Sequence, residues 1–215
     1  MVYKILSKVI VNRIKPCLNS IISPYQSSFI SGRSIHHNII VAQEMVHFMA
    51  RMKGNKMFMS IKIDLEKVYD RLNWNFIAQC LEECKFSPKF IEVIHHCISS
   101  PSYKIMWNRD KTNSFNPSRG IRQGYLLSPY LSVICMDKLS HIIADQVEAG
   151  YWKPMRAGRH GPQISHLLFA DDLLLFAEAS IEQAHCVMHF LDLFCQASGQ
   201  KINSQKLQIF FSKCR

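Results

Sequence analysis

A chain of 215 residues with 48% apolar and 11% aromatic residues can bury a core, which excludes a disordered protein. Its 26 Lys and Arg residues against 16 Asp and Glu residues give a net charge of +10, which a polyanionic partner, an anionic membrane surface or simple solubility would explain. Nucleic acid is the first candidate. No apolar run approaches the ~20 residues of a bilayer span, and the N-terminus lacks the pattern of a signal peptide. We therefore expect no membrane association and an intracellular location, in the nucleus or the cytoplasm.

Apolar spacing and turn residues predict the order of the elements. Helical spacing predicts five helices, at residues 5–18 (with Pro16 disturbing the end), 35–49, 74–84, 90–97 and 181–197, the last stopped by Gly199. Ser128-Pro129 predicts the N-cap and first residue of a sixth helix, to about Ala144. Strands are predicted at residues 57–63, after a turn at Gly54-Asn55, and at 164–170, 173–177 and 207–211, with extended segments at 102–107 and 114–116. Long helices combined with an antiparallel hairpin predict an α+β fold.

Charge is distributed unevenly along the chain. Residues 1–53 carry seven basic residues and one acid, and residues 101–124 carry five and one. Residues 164–200 carry five acids and no Lys or Arg, and two of these acids, Asp171 and Asp172, interrupt an apolar run. Ionised groups in an apolar setting are costly unless they are paired or bound to metal, so this pair is the first functional indication.

Three aspartates predict a metal site, although each has a simpler reading. Asp64 alone is typical of a turn or cap at a strand end, and Asp171-Asp172 alone is typical of a turn. If the strand that ends at Asp64 neighbours the hairpin, the three carboxylates meet at one sheet end and offer the oxygen ligands that Mg²⁺ prefers. Two such ions about 3.5–4 Å apart activate an attacking oxygen and stabilise a leaving one in phosphoryl transfer.

A glycine-bounded loop, Gly120-Ile-Arg-Gln-Gly124, follows Arg119. Small residues let a backbone approach a ligand closely, and arginines suit phosphates. The same loop also reads as a surface turn that leads into the helix at Ser128.

Several segments together resemble reverse transcriptases of non-LTR retrotransposons, of the plant LINE type. Ile61–Asp70, Arg119–Gly124 and Phe169–Asp172 occur in the order and spacing of palm motifs A, B and C of that family. The resemblance covers nearly the whole chain, since five further segments also match: Asn12–Pro16, Ser23–Ser27, Gly32-Arg33 with Asn38-Ile39, Leu127–Leu131 and Ser198–Asn203.

The resemblance implies an RNA-directed DNA polymerase with a reverse-transcriptase-like palm, a small antiparallel sheet packed on helices. Residues 1–56 would form part of helical fingers and residues 57–215 the palm, with no thumb and no endonuclease. Its cofactor would be Mg²⁺ or Mn²⁺, and its partners an RNA template, a DNA primer and deoxynucleoside triphosphates.

The resemblance also implies roles for individual residues. Asp64, Asp171 and Asp172, with the Leu65 carbonyl, would hold metal. Tyr69 would exclude the ribose 2′-hydroxyl, and Gln123, Gly124 and Arg122 would contact nucleotide and template. Lys206 would donate a proton to pyrophosphate, or is simply a solvated lysine. Arg33 and Arg119 would contact nucleic acid.

The chain departs from the family pattern at three positions, Val68, Tyr125 and Leu126, where Ala and Asp-Pro are usual. Two hypotheses follow. The chain is either a two-metal polymerase or a truncated, catalytically inactive remnant that retains non-specific nucleic-acid binding. With no thumb to grip a duplex, we expect little processive synthesis from these 215 residues alone.

No zinc site is predicted. The pairs Cys80/Cys84 and His185/His189 have helical i, i+4 spacing, but neither has a convincing second pair of ligands. The eight cysteines show no C-x-x-C pattern and are interpreted as reduced thiols.

Overall fold

The computed structural model describes residues 2–52, 56–158 and 161–212. Its elements are, in chain order, α1 (Val2–Ile21), α2 (Ile35–Arg51), β1 (Phe58–Ile63), α3 (Val68–Arg71), α4 (Trp74–Glu83), α5 (Pro88–Ser99), β2 (Met106–Trp107), β3 (Asp110–Lys111), α6 (Ser128–Glu148), β4 (Met155–Arg156), β5 (Gln163–Ile164), β6 (His166–Phe169), β7 (Asp172–Glu178), α7 (Ile181–Ser198) and β8 (Gln208–Phe211). These elements confirm the α+β expectation. The turn predicted at Gly54-Asn55 lies outside the described residues, as does Cys214. Within the described ranges, no helix is long and apolar enough to cross a bilayer.

Four strands form one antiparallel sheet in the order β6-β7-β1-β8. β1 and β7 pair from Phe58 opposite Glu178 to Ile63 opposite Leu173. The continuous apolar run of β7 faces two cores, because successive side chains point to opposite sides of a strand. Leu173 and Leu175 join the larger core formed with α1, α4, α6 and α7, whereas Phe176 joins a smaller core beneath α2.

Two local predictions at helix ends were wrong. Pro16 does not disturb the end of α1, which continues to Ile21 because the buried side chains of Ile14 and Leu18 hold both sides of the proline against the larger core. Ser128 is the first residue of α6 rather than its N-cap, since its hydroxyl donates to the Arg122 carbonyl at 2.6 Å. Packing and a loop contact decide these two ends, and neither is visible in local sequence.

The β6–β7 turn is clamped by Gln26, which is fully buried in the loop between α1 and α2. The turn residue Ala170 has a φ of 55°, a left-handed conformation that is unusual for a residue with a Cβ. The Gln26 amide bonds both backbone groups of Ala170: its Oε1 accepts from the Ala170 N–H at 3.1 Å and its Nε2 donates to the Ala170 carbonyl at 3.4 Å. The same Oε1 accepts from the Ser28 N–H at 3.0 Å.

The loop that carries Gln26 is itself held by side chains. Arg33 donates to the carbonyls of Ser23, Gln26 (2.7 Å) and Ile22 (2.8 Å). Asn38 in α2 donates to the Leu168 carbonyl at 2.9 Å. A residue far away in sequence therefore fixes the conformation of the turn just before Asp171.

The 120–124 loop docks on α3. The N–H groups of Gly120 and Ile121 donate to the carbonyls of Leu72 and Tyr69, both at 2.7 Å, and the Trp74 indole donates to the Gly120 carbonyl at 2.6 Å. Gly120 has a φ of 85°, and a Cβ there would lie 2.6 Å from the Asp70 carbonyl oxygen. This close approach requires glycine.

We predict that Gln26→Leu lowers the free energy of unfolding by about 1–3 kcal/mol, because buried backbone groups of Ala170 and Ser28 lose their partner. Denaturant unfolding measures this change. Gln196→Leu, on the exposed face of α7, is the control and should change stability by less than about 0.5 kcal/mol. Equal effects of the two substitutions would show that the clamp contributes nothing.

A second prediction compares two glycines with nearly the same φ, 85° at Gly120 and 84° at Gly124. Alanine at Gly124 meets no atom within 4 Å, so Gly124→Ala should cost only the backbone strain, about 1–2 kcal/mol. Gly120→Ala should cost at least about 1 kcal/mol more, since the loop must move away from Asp70. Thermal unfolding of the two variants gives the difference, and an equal cost would contradict the docking argument.

Candidate active site

The three predicted aspartates lie at the same end of the central sheet. Asp64 follows Ile63, which pairs with Leu173 of β7, so Asp64 comes next to the start of that strand. Asp171 occupies the β6–β7 turn, and Asp172 begins β7 opposite Phe169. The expectation that the strand ending at Asp64 neighbours the hairpin is confirmed.

The surroundings of Asp171 at this sheet end disfavour its ionised form. Burial raises the pKa of its carboxyl above the ordinary value, and a hydrogen bond from its own backbone N–H opposes this shift. The charges of Asp172 and Asp64 raise the pKa further, and the Lys206 ammonium lowers it. Neighbouring carboxylates that disfavour each other's ionised form are relieved by a nearby cation.

Lys206 supplies a cation to Asp64. Its Nζ lies 3.3 Å from Asp64 Oδ2 and 3.4 Å from Oδ1. The Lys206 side chain is 64% exposed and that of Asp64 is 29% exposed, so the pair adds little to stability. The pair places an ammonium beside the carboxylates, and the predicted proton transfer stays a prediction.

The backbone around Asp64 is held by the segment that carries Lys206. The Asn203 N–H donates to the Asp64 carbonyl at 2.9 Å and the Glu66 N–H donates to the Lys201 carbonyl at 2.8 Å. These two bonds form the bridge between Leu65 and Ile202 without using the Leu65 carbonyl. The carbonyl predicted to be a backbone ligand is thus not consumed by this pairing.

Tyr69 lies on α3 beside Asp171. Burial raises the pKa of its phenol, and the Asp171 charge raises it further, which places the two side chains within electrostatic reach. Tyr69 lines a recess of about 370 Å³ together with Gln123 and Gly124. Lys8 and Lys15 of α1 line the same recess, so its walls combine an aromatic ring, an amide and two cations.

The departures from the family pattern are accommodated in the structure. Val68 is buried in the larger core, and the Tyr125 ring packs 4.9 Å from that of Tyr3. Arg122 lies over the Tyr125 ring, 4.4 Å from its centroid, and donates to the Tyr125 hydroxyl. Leu126 is 48% exposed and lines the Tyr69 recess. A stacked arrangement therefore replaces the usual small acid at this position.

The structure also shows where the remaining predicted residues, Asp172, Arg119 and Arg33, lie. Asp172 is exposed and lines an apolar groove beside α2 with Lys62, and Arg119 is exposed beside the 120–124 loop. The Arg33 guanidinium is occupied by the three loop carbonyls, and its contact with nucleic acid stays a prediction.

The donor set suits Mg²⁺, which is usually bound by one or two carboxylates with substrate phosphates and water completing its shell. Among residues 2–52, 56–158 and 161–212, no group of three or more His, Cys, Asp or Glu side chains is arranged to hold a metal ion. The acids at this sheet end do attract a cation, since the Lys206 ammonium lies 3.3 Å from Asp64 Oδ2. The residues present therefore fit the predicted divalent metal.

Sequence reasoning assigned no role to Gln26, Asn38, Lys8 or Lys15. Gln26 and Asn38 fall within segments that carry the family resemblance, and this was the available signal. The lysines are part of the basic excess in the first 53 residues, whose location only the fold shows.

Comparisons with known proteins identify the family of this chain. The profile of the family "Reverse transcriptase (RNA-dependent DNA polymerase)" matches residues 1–215. The chain is 26% identical over 206 residues to a 149 kDa protein of transposon TX1 from Xenopus laevis, covering 95% of this chain and 15% of that protein. It is 27% identical over 145 residues to the polyprotein of the R2DM retrotransposable element of Drosophila melanogaster, covering 67% of this chain and 13% of the polyprotein.

The fold is shared with telomerases of known structure. The apo telomerase of Candida tropicalis superposes with a TM-score of 0.69 at 15% identity, over 96% of this chain and 40% of that one. The telomerase of Candida albicans, solved with a fragment of telomeric RNA, gives 0.62 at 14% identity, over 95% of this chain and 33% of that one. The full-length profile match and the retrotransposon relatives together show that the chain belongs to the reverse transcriptase family.

Proposed function

We propose that this chain is the polymerase core of a non-LTR retrotransposon and adds deoxynucleotides to a primer 3′-hydroxyl on an RNA template. The observation that carries the proposal is that Asp64, Asp171 and Asp172 lie at one sheet end, with Asp171 beside Tyr69. A plant LINE origin is part of this proposal; over 56 residues the chain is 48% identical to an uncharacterized mitochondrial protein of the plant Arabidopsis thaliana, covering 26% of this chain and 46% of that protein.

In this proposal Asp64 and Asp171 hold the divalent ions, with Asp172 alongside and the Leu65 carbonyl as a backbone ligand. When bound, such ions lower the pKa of the attacking hydroxyl and neutralise the charge that develops on the phosphoryl oxygens. The antiparallel pairing of β1 and β7 and the Gln26 clamp fix the backbone of these carboxylates. The carboxylates would therefore hold the ions in a fixed position.

The walls of the recess select and orient the nucleotide. In this proposal the Tyr69 ring, which lines the recess, excludes a ribose 2′-hydroxyl. Gln123 and Gly124 contact template and nucleotide, while Arg122, Arg119 and Arg33 contribute positive charge toward phosphates. Lys206, held at Asp64 by its ion pair, gives a proton to the departing pyrophosphate.

The first test is single-nucleotide addition to a DNA primer on an RNA template, which does not require processivity. We expect Asp64→Asn to lose on the order of a hundredfold or more in rate, because transition-state charge is no longer neutralised. Asp192→Asn, an exposed acid on α7, is the matched control and should extend the primer like the unmodified chain.

Two results would contradict the polymerase proposal. Extension that survives Asp64→Asn would point to a contaminating polymerase. Tight nucleic-acid binding without any extension, in Mg²⁺ or Mn²⁺, would favour the alternative of an inactive remnant.

We further predict that millimolar Mg²⁺ or Mn²⁺ raises the melting temperature, since an ion that binds only the folded state stabilises it by about 2.7 kcal/mol at a hundred times its Kd. Asp171→Asn should reduce this rise and Asp192→Asn should preserve it, as measured by thermal unfolding without nucleic acid. An unchanged melting temperature across the titration would show that the acid cluster does not bind metal.

A further inference from the structure

A two-stranded ribbon projects between α5 and the 120–124 loop, and we call residues 103–115 the 103–115 ribbon. Its root is the bridge between Tyr103 and Phe115, whose backbone groups exchange two hydrogen bonds of 2.9 Å. Its tip is a two-residue turn in which Asn108 and Arg109 both have positive φ, 50° and 71°. Such tight turns fix the ribbon's direction without a core of its own.

The ribbon exposes a run of apolar residues that the fold does not bury. Ile105 is 54% exposed, Met106 68% and Trp107 75%. Within the described ranges, the Trp107 ring has no aromatic or cationic partner, whereas Trp152 is buried and Trp74 packs against His95. An exposed apolar cluster of this kind marks a binding surface.

Charge identifies the partner that fits this surface. The ribbon and the loop after it carry five cations, Lys104, Arg109, Lys111, Arg119 and Arg122, against the single acid Asp110. A groove that combines cations with exposed aromatic rings is the arrangement with which proteins bind single-stranded nucleic acid, since cations follow the phosphates and rings stack on the bases. A protein partner would need acidic groups to match the same surface.

The ribbon is continuous with the recess of the candidate active site. Arg122 lies over the Tyr103 ring at the ribbon's root, 5.7 Å from its centroid, and also over the Tyr125 ring, which lines the Tyr69 recess. Gln123 is the next residue and lines that recess too. The root of the ribbon and the Tyr69 recess are therefore connected through Arg122 and Tyr125.

We propose that the 103–115 ribbon is a second nucleic-acid contact, outside the metal site, that stacks an unpaired base on Trp107 and holds single-stranded RNA template by its phosphates. The proposal rests on the proposed function only for the identity of the strand as template. Binding itself requires neither metal nor nucleotide, so it can be tested apart from catalysis.

The test is titration of the full chain with single-stranded RNA in the presence of a chelator, followed by tryptophan fluorescence and by direct binding. Trp107 is the exposed one of three tryptophans, so stacking should quench a large part of the emission. Trp107→Ala should remove this quenching and weaken binding about fivefold to a hundredfold, and Trp107→Phe should recover part of the affinity. Tyr151→Ala, an equally exposed aromatic (68%) on another surface, should bind like the unmodified chain.

The salt dependence of RNA binding tests the role of the ribbon's cations. Lys104→Gln with Lys111→Gln should reduce the slope of log K against log salt by about 1.4, because two phosphate contacts are lost on a single strand. Lys89→Gln with Lys153→Gln is the control of equal charge away from the ribbon, and should leave the slope unchanged.

Three outcomes would overturn the proposal. The quenching could be unchanged in Trp107→Ala, or the ribbon and control variants could lose RNA affinity equally. The free chain could also self-associate in a way that Trp107→Ala abolishes, which would show that a second copy covers the ribbon. Asp64→Asn separates this proposal from the proposed function, because it should abolish primer extension and retain the quenching. If the unmodified chain extends no primer but still shows the quenching, the polymerase proposal fails and the ribbon proposal stands.

Discussion

The placement of three aspartates at one end of a small sheet, one of them partly buried, is the constraint on which the site depends. Burial raises the pKa of the Asp171 carboxyl and the charges of Asp172 and Asp64 raise it further, so the fold must hold this carboxyl where its ionised form is disfavoured. Backbone pairing and backbone hydrogen bonds hold these residues in place. The β1–β7 register sets the position of Asp64, and Gln26 holds the left-handed turn that carries Asp171.

Polar side chains are also buried in the strand β6 that leads to Asp171. His166 lies on β6 between two serine hydroxyls, with Ser165 and Ser140 each 2.9 Å from a ring nitrogen, and burial lowers its pKa to about 3. A neutral histidine with both nitrogens satisfied adds no charge behind the acids. Positive charge instead approaches from the open side, where Lys206 pairs with Asp64.

The positive surfaces of the chain are arranged around this acidic centre. Lys8 and Lys15 reach the Tyr69 recess from α1, and Arg122 connects that recess to the 103–115 ribbon through its two stacked tyrosines. Cations beside an acidic cluster suit a polyanionic partner. Tyr125, which replaces a small acid of the family pattern, extends this basic and aromatic surface.

Local sequence predicted the residues of the site and most of the elements that carry them. Short apolar runs bounded by turn residues identified the strands before Asp64 and around Asp171-Asp172, and helical spacing identified α2, α4, α5 and α7, because both signals depend only on neighbours in the chain. Tertiary structure decided what local patterns do not encode. Gln26 meets Ala170 across 144 positions and Lys206 meets Asp64 across 142, contacts that exist only once the strands are paired. Burial of Leu18 carries α1 past Pro16, and the Arg122 carbonyl takes the Ser128 hydroxyl from its predicted capping role, because packing energy outweighs the local preference of a single residue.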